Sequence, residues 1–297
     1  MTTLATTHLP RLLFVVPDAV FMPCTQHRDE GFVGIQTGSD YEFLAYLISD
    51  LYHAGVDVHI VQPDLRRVMA AGAAHPCGGV CADLPVSRVH LARDRVFYYA
   101  EEPFDNPDWL NLRIAIAFQR EVLYRWIPEI EPDLVQCHDW MCGLIPAAAG
   151  TLHLPCIFSL KRMQSQCMPL WLAEDIGLDV APFWDRLYYR YMPGDYAQTR
   201  QANCADLLLS GINAASMINA VSTDFLQELI SSHSGEAKTQ LYQLLRASIR
   251  TQQLIRIHEK EFGTDNYIAL YEKTLDRSLS CREDSETTII GRDLALV

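Results

Sequence analysis

Three consecutive side chains that can bind a polar ligand, His138, Asp139 and Trp140, follow a short apolar run. An imidazole and a carboxylate make hydrogen bonds, and an indole adds an apolar face with one donor. The preceding residues 134–137 have the composition of a buried strand, and residues 143–149 that of an apolar helix. The three side chains therefore lie on a strand–turn–helix, which is half of a βαβ unit.

Two basic residues, Lys161 and Arg162, come directly after the next apolar run, residues 154–160. A lysine and an arginine at this point can hold a phosphate or a carboxylate. They fit a solvated strand end equally well, so both interpretations stay open.

A glycine-containing loop precedes the first predicted helix, and its candidate ligand-binding positions are Gly34, Gln36 and Gly38. Such a loop can cradle an anion at a helix N-terminus. Glycines before a helix are also ordinary turn residues, and the loop alone does not decide between the two.

One group of residues has a spacing that is permissible for a metal site: His75, Cys77, Cys81 and His90. No second tight pair of ligands accompanies it, and structural zinc sites need one. We therefore predict no metal.

Strand and helix patterns alternate along the chain. The predicted strands are residues 11–17, 56–62, 96–99, 134–137, 154–160 and 217–221. The predicted helices are residues 43–51, 109–126, 143–150, 202–215, 223–230, 241–257 and 267–275, with a long loop and short helices at 161–200. This order predicts an α/β fold with a doubly wound, mainly parallel, Rossmann-like sheet. Ligands of such sheets bind at the carboxyl ends of the strands, where His138 and Asp139 fall.

Composition excludes some classes of partner. The 297 residues carry a formal charge of −13, which argues against nucleic acid and against an anionic membrane surface. No apolar stretch is long enough for a membrane span. Nine cysteines, several of them in apolar runs, are typical of a reduced compartment, and we expect a cytoplasmic protein.

Three segments resemble one known family. Residues 132–147, with His138-Asp139-Trp140 at their centre, are similar to the strand–His-Asp-Trp–helix motif of bacterial and plant glycogen/starch synthases. Residues 210–222 and 55–63 resemble two further segments of the same enzymes. The resemblance covers roughly residues 11–230, and it implies the N-terminal lobe of a GT-B glycosyltransferase.

The chain also departs from the family pattern. The family's Lys-x-Gly-Gly-Leu loop is replaced by residues 34–39, which contain no lysine. Lys161 stands at the position of a family histidine that lies near the transferred glucose. Leu209 stands where the family has a lysine before Ala-Gly.

The chain length leaves no room for the second lobe that supplies most nucleotide contacts in the family. We expect residues 1–233 to form the synthase-like N-terminal domain. Residues 234–277 would be a helical segment that packs back on this domain, as the last helix of GT-B enzymes does, and residues 278–297 a disordered polar tail.

The resemblance implies a role in glucan metabolism, with weak or no transferase activity in this chain alone. Expected partners are a glucan or maltooligosaccharide, an active synthase chain, or a second copy of this chain. No cofactor is expected, and ADP-glucose or another nucleotide sugar would be the donor if the chain is active. The alternatives are a transferase whose site is completed by another chain, and a binding module unrelated to glucans.

Two interpretations of the central motif remain open. His138 and Asp139 can bind sugar hydroxyls, or Asp139 can cap the following helix while His138 bonds buried backbone. An aromatic-rich segment is open in the same way, as a sugar-stacking platform or, as we favour, as core or interface. Its members are Trp171, Phe183, Trp184, Tyr188, Tyr189 and Tyr191.

Overall fold

A computed structural model describes most of the chain, namely residues 9–18, 20–23, 32–35, 42–67, 81–100, 106, 108–161, 164–191, 193–220, 243, 254–256 and 265–278. The strands in this part are β1 (Arg11–Val15), β2 (Phe21–Pro23), β3 (Phe32–Ile35), β4 (Asp57–Pro63), β5 (Cys81–Pro85), β6 (Val89–Ala92), β7 (Leu134–His138), β8 (Cys156–Leu160), β9 (Cys167–Pro169), β10 (Cys204–Asp206), β11 (Met217–Ala220) and β12 (Leu254–Arg256).

The helices in the same part are α1 (Glu42–His53), α2 (Asp108–Glu121), α3 (Ile127–Ile130), α4 (Ile145–Thr151), α5 (Leu170–Asp175), α6 (Tyr196–Ala202), α7 (Leu207–Ala214) and α8 (265–278). A π-helical segment, Val122–Trp126, joins α2 to α3. Aspartates cap α6 and α7, because Asp195 accepts a hydrogen bond from Gln198 N and Asp206 accepts one from Leu209 N.

Seven strands form the main sheet in the order β12-β11-β8-β7-β1-β4-β6, and every neighbouring pair is parallel. From β1 the chain proceeds outward through β4 to β6. It then returns to β7, on the other side of β1, and proceeds outward through β8 and β11. The predicted doubly wound, Rossmann-like sheet is thus confirmed. Its direction of winding reverses between β1 and β7.

Each strand alternates its side chains between two apolar layers. One layer joins sheet residues such as Phe14, Leu134 and Ile157 to α1 and α8. The other joins Val15 and Phe158, among others, to α2, α4 and α7. Helix α8 therefore packs back on the sheet, as expected for the C-terminal segment.

Several local predictions were wrong. Residues 96–99 were expected as a strand but belong to a 3-10 helix, Arg95–Tyr99, and the edge strand is the earlier β6. The helix expected at 202–215 begins only at Leu207, because residues 204–206 pair with β9 as the short strand β10. Residues 254–256, expected to be helical, form β12 beside β11.

The expected domain boundary after residue 233 lies outside the described residues. The tail was expected from residue 278, but α8 continues through that residue, and residues 279–297 are outside the described part. Within the described part, no helix combines the length and the apolar character needed to cross a membrane.

Candidate functional site

The carboxyl ends of β1 and β7 meet at the point where the sheet reverses its direction of winding. In open α/β sheets this point opens a crevice in which ligands bind. His138 is the last residue of β7, Asp139 follows it, and Lys161 follows β8 next to it. The topology therefore brings together three of the residues that the sequence identified.

His138 is buried, with 4% of its surface exposed. Its ring stacks on Phe14 of β1, with the ring centroids 6.4 Å apart. Its Nε2 atom has no hydrogen-bond partner among the described residues. Burial, with a further contribution from the charge of Lys161, lowers the pKa of His138 to about 3. The imidazole is therefore neutral near pH 7.

Asp139 has an unusual backbone conformation, with φ 57° and ψ −177°. This region is essentially restricted to glycine, and another residue there costs about 1–3 kcal/mol. Hydrogen bonds of Asp139 to described residues hold the turn: its N donates to Ser159 O, its O accepts from Cys142 N, and Oδ1 accepts from Lys161 N. The side chain caps neither the 3-10 turn Trp140–Cys142 that follows nor helix α4, whose N-cap residue is Leu144. The capping alternative is therefore wrong, and the carboxylate instead connects β7 to the end of β8.

Lys161 is partly buried, and its main-chain N lies 2.9 Å from Oδ1 of Asp139. Its ammonium is close enough to His138 to help lower the pKa of that imidazole. The carboxyl edge of the sheet thus contains a buried neutral imidazole, a carboxylate held by a main-chain hydrogen bond, and a lysine. Such a set can bind neighbouring hydroxyls of a sugar.

Trp140 lies in the hydrophobic core, with 2% of its surface exposed. Gly143 completes the same turn, and a Cβ atom on it would lie 1.9 Å from the main-chain oxygen of Leu207. The turn therefore lies directly against α7. Both residues hold the turn in place, whereas His138 and Asp139 carry its polar groups.

The other predicted positions are distributed differently. Gly34 belongs to β3, between Met22 and Cys81 in the three-stranded antiparallel sheet β2-β3-β5. Arg162, Gln36 and Gly38 lie outside the described residues.

His75 and Cys77 of the metal candidate are also outside the described part. His90 lies in β6, where its Nε2 is 2.9 Å from Nδ1 of His59. Within the described part, no three or more His, Cys, Asp or Glu residues are grouped as metal ligands.

The aromatic-rich segment divides into two groups. Phe183 and Tyr189 are buried, and Trp184 and Tyr188 pack against the core. Trp171 and Tyr191, in contrast, are 45% and 66% exposed. The core interpretation therefore holds for Phe183, Trp184, Tyr188 and Tyr189. It does not apply to Trp171 and Tyr191, which are exposed.

A buried polar row was missed from the sequence. His138 pairs with Ser159 in register, and Ser159 pairs with Asn219, so the three side chains lie side by side across β7, β8 and β11. One layer below, Gln136 donates to Ser159 Oγ and accepts from the hydroxyl of Tyr271 on α8. Polar residues at alternate positions of otherwise apolar strands were the signal for this row.

Comparison with known families gives one match by sequence. The profile of the starch synthase catalytic domain matches residues 42–247, more than half of the chain. A search of curated proteins gave no match.

Solved structures give a match in fold. The catalytic domain of starch synthase IV from Arabidopsis thaliana, bound to ADP and acarbose, has a TM-score of 0.56 and 15% sequence identity. The match covers 84% of this chain and 51% of that one, so this chain spans about half of that length. A UDP-N-acetylglucosamine 2-epimerase from Rickettsia bellii, with a TM-score of 0.37, is 11% identical over 82% of this chain and 48% of its own. At 15% identity, the match to starch synthase IV shows the fold alone.

Proposed function

Because this chain belongs to the starch synthase catalytic domain family, we propose that it acts in glucan metabolism and that its carboxyl edge binds a glucosyl group. One side of this binding site would be lined by His138, Asp139 and Lys161, which we call the binding wall. A glucan end and the glucose of a nucleotide sugar both present the hydroxyls that such a wall binds. ADP and acarbose are bound by the starch synthase IV domain, and this supports the choice of ligand class.

The observation that carries the proposal is the state of His138. A buried polar atom without a partner is costly, and native proteins leave few of them. Nε2 of His138 is such an atom within the described part, and it lies where the fold places ligands. A sugar hydroxyl that bonds Nε2 would remove this cost on binding.

We further propose that this chain alone has weak or no transferase activity. Glycosyl transfer needs positive charge at a leaving diphosphate and a second wall that closes over the donor. The described sheet provides one wall. The imidazole at its edge is held neutral, and one oxygen of Asp139 is engaged by main chain. By the resemblance in sequence, Lys161 would stand at the position of the family histidine.

Two assays with the purified chain test these proposals. The first assay measures glucose transfer from ADP-glucose to glycogen. Robust turnover would overturn the proposal that this chain alone has weak or no transferase activity. The second measures binding of maltoheptaose and of ADP-glucose by calorimetry, in wild type and in Asp139→Ala. Binding that is weakened in the variant supports the carboxyl edge as the site, and equal binding argues against it.

A second candidate function is a transferase whose site is completed by another chain. The observation in its favour is that this chain spans about half of the starch synthase IV chain. Crosslinking and gel filtration test it, and a stable monomer without activity would contradict it.

Free buried thiols at Cys137, Cys142 and Cys156 support our proposal of a reducing, cytoplasmic location for either function.

A further inference from the structure

A second polar surface lies on α5 and α6, and none of His138, Asp139 and Lys161 belongs to it. These two short helices pack on each other beside the β9–β10 ribbon. A shallow cavity of about 550 Å³ opens between them. Its lining residues are Trp171, Glu174 and Asp175 of α5, and Arg200 and Gln201 of α6.

The orientation of α5 follows from its sequence. Leu170 and Ala173 are fully buried, which fixes the inward face of the helix. Trp171, Glu174 and Asp175 stand at positions i, i+3 and i+4, and therefore share the outward face. The exposed indole of Trp171 is thus held beside two carboxylates by the packing of the helix.

The carboxylate of Glu174 is fixed from two directions. The hydroxyl of Tyr196 donates to Oε1, and Nε of Arg200 donates to Oε2. Each oxygen retains a further lone pair for an incoming hydroxyl. Glu174 is therefore an acceptor whose geometry is set before a ligand arrives, and such preorganisation lowers the entropic cost of binding.

The chemistry of this cavity discriminates among ligand classes. Two carboxylates and one guanidinium give a net negative lining, which repels phosphates and nucleotides. An aromatic face beside acceptor and donor groups suits a ligand with an apolar ring face and a rim of hydroxyls. Sugars have this form, because the C–H groups of a pyranose lie on its faces and its hydroxyls around the edge.

We propose that Trp171, Glu174, Asp175, Arg200 and Gln201 form a second glucan-binding site, in which a glucose ring stacks on Trp171 and its hydroxyls bond the polar side chains. The choice of glucan as the sugar rests on the proposed function. The cavity itself contains none of the carboxyl-edge residues. A chain with two such sites can hold a long glucan at two points and gain affinity through avidity.

Calorimetric titration with maltoheptaose tests the site, using the full chain and matched variants. Trp171→Ala should raise the dissociation constant of this site about tenfold, and Gln201→Ala should raise it less, because stacking supplies the larger contact. Tyr46→Ala removes another aromatic ring, 57% exposed on α1, and should leave binding unchanged. Circular dichroism confirms that each variant is folded.

The outcomes separate this site from the proposed function. Binding that is lost in Asp139→Ala but equal to wild type in Trp171→Ala would overturn the second site and leave the carboxyl-edge proposal intact. Maltoheptaose binding that is lost in Trp171→Ala but not in Asp139→Ala would support the second site. It would contradict the proposal that the carboxyl edge binds a glucosyl group. No binding by wild type would overturn both, and ADP binding that depends on Trp171 would overturn the assignment to sugars.

Discussion

The carboxylate of Asp139 accepts a hydrogen bond of 2.9 Å from the main-chain N–H of Lys161. This bond joins the turn after β7 to the end of β8. Asp139 itself has a backbone conformation that is essentially restricted to glycine. The strained turn therefore depends on hydrogen bonds to its neighbouring strand, and the same turn positions His138 at the edge of the sheet.

Two substitutions at position 139 separate strain from hydrogen bonding. Asp139→Ala loses the bond to Lys161 N and keeps the strained φ, whereas Asp139→Gly loses the bond and relieves the strain. We expect the glycine variant to be more stable than the alanine variant by about 1–3 kcal/mol. Urea unfolding of both variants measures this difference. If they unfold at the same urea concentration, the turn is not strained.

Gly143 should tolerate no side chain, because a Cβ atom there would lie 1.9 Å from the oxygen of Leu207. Main chain cannot withdraw as a flexible side chain can, so Gly143→Ala should cost about 3 kcal/mol or more. Gly194→Ala is the matched control, since its Cβ would meet only the end of the Gln198 side chain. It should stay within about 1 kcal/mol of wild type. Thermal unfolding of the two variants checks the contrast.

The sequence predicted the sheet well where strands are continuous apolar runs. Residues 12–15, 134–138 and 156–160 are buried on both faces, and such runs identify central parallel strands. Edge strand β6 has intermediate burial and contains His90, so its composition does not mark it as a strand. Short strand β10 was absorbed into a predicted helix because only three residues form it.

The site was predictable only in part. The motif identified His138 and Asp139, and strand topology alone brings Lys161 next to them. No local pattern shows that Tyr271, on the last described helix, bonds Gln136 in the middle of the sheet, because that contact joins residues 135 positions apart. The positive φ of Asp139 was equally hidden, since aspartate at a strand end ordinarily caps a helix.

Acid should destabilise the fold through its buried histidines. Burial lowers the pKa of His138 to about 3, and burial together with the charge of Arg88 lowers that of His59 to about 4. Both groups take up protons in the unfolded chain near pH 6.5. Their contribution to the free energy of unfolding is therefore complete above about pH 6.5. It is lost as the pH falls toward the folded-state pKa values. For each histidine, the free energy of unfolding falls by at most about 1.4 kcal/mol per pH unit.

Urea unfolding between pH 7 and pH 4.5 measures this effect in wild type and in His138→Gln. The variant should have the shallower dependence of unfolding free energy on pH, by up to about 1.4 kcal/mol per pH unit. His53→Gln is the control for removing an imidazole, because the side chain of His53 is 62% exposed. Equal slopes in wild type and His138→Gln would show that His138 is not buried in its neutral form.

Helix α8 should be held to the sheet by a hydrogen bond as well as by apolar contact. The hydroxyl of Tyr271 donates to Oε1 of Gln136 at 2.8 Å, and both side chains are buried. Tyr271→Phe leaves that acceptor without this donor and should cost about 1–3 kcal/mol, whereas Tyr46→Phe on the surface should cost under about 0.5 kcal/mol.

Hydrogen exchange and urea unfolding show whether the bond from Tyr271 acts on the helix alone or on the whole sheet. Gln136 also donates to Ser159 Oγ, and the main-chain oxygen of Ser159 accepts from Asp139 N. If these bonds act together, Tyr271→Phe should speed exchange at the Asp139 amide as well as in α8. Faster exchange confined to α8 would show that the helix is docked independently of the turn, and unchanged exchange in both would contradict the bond itself.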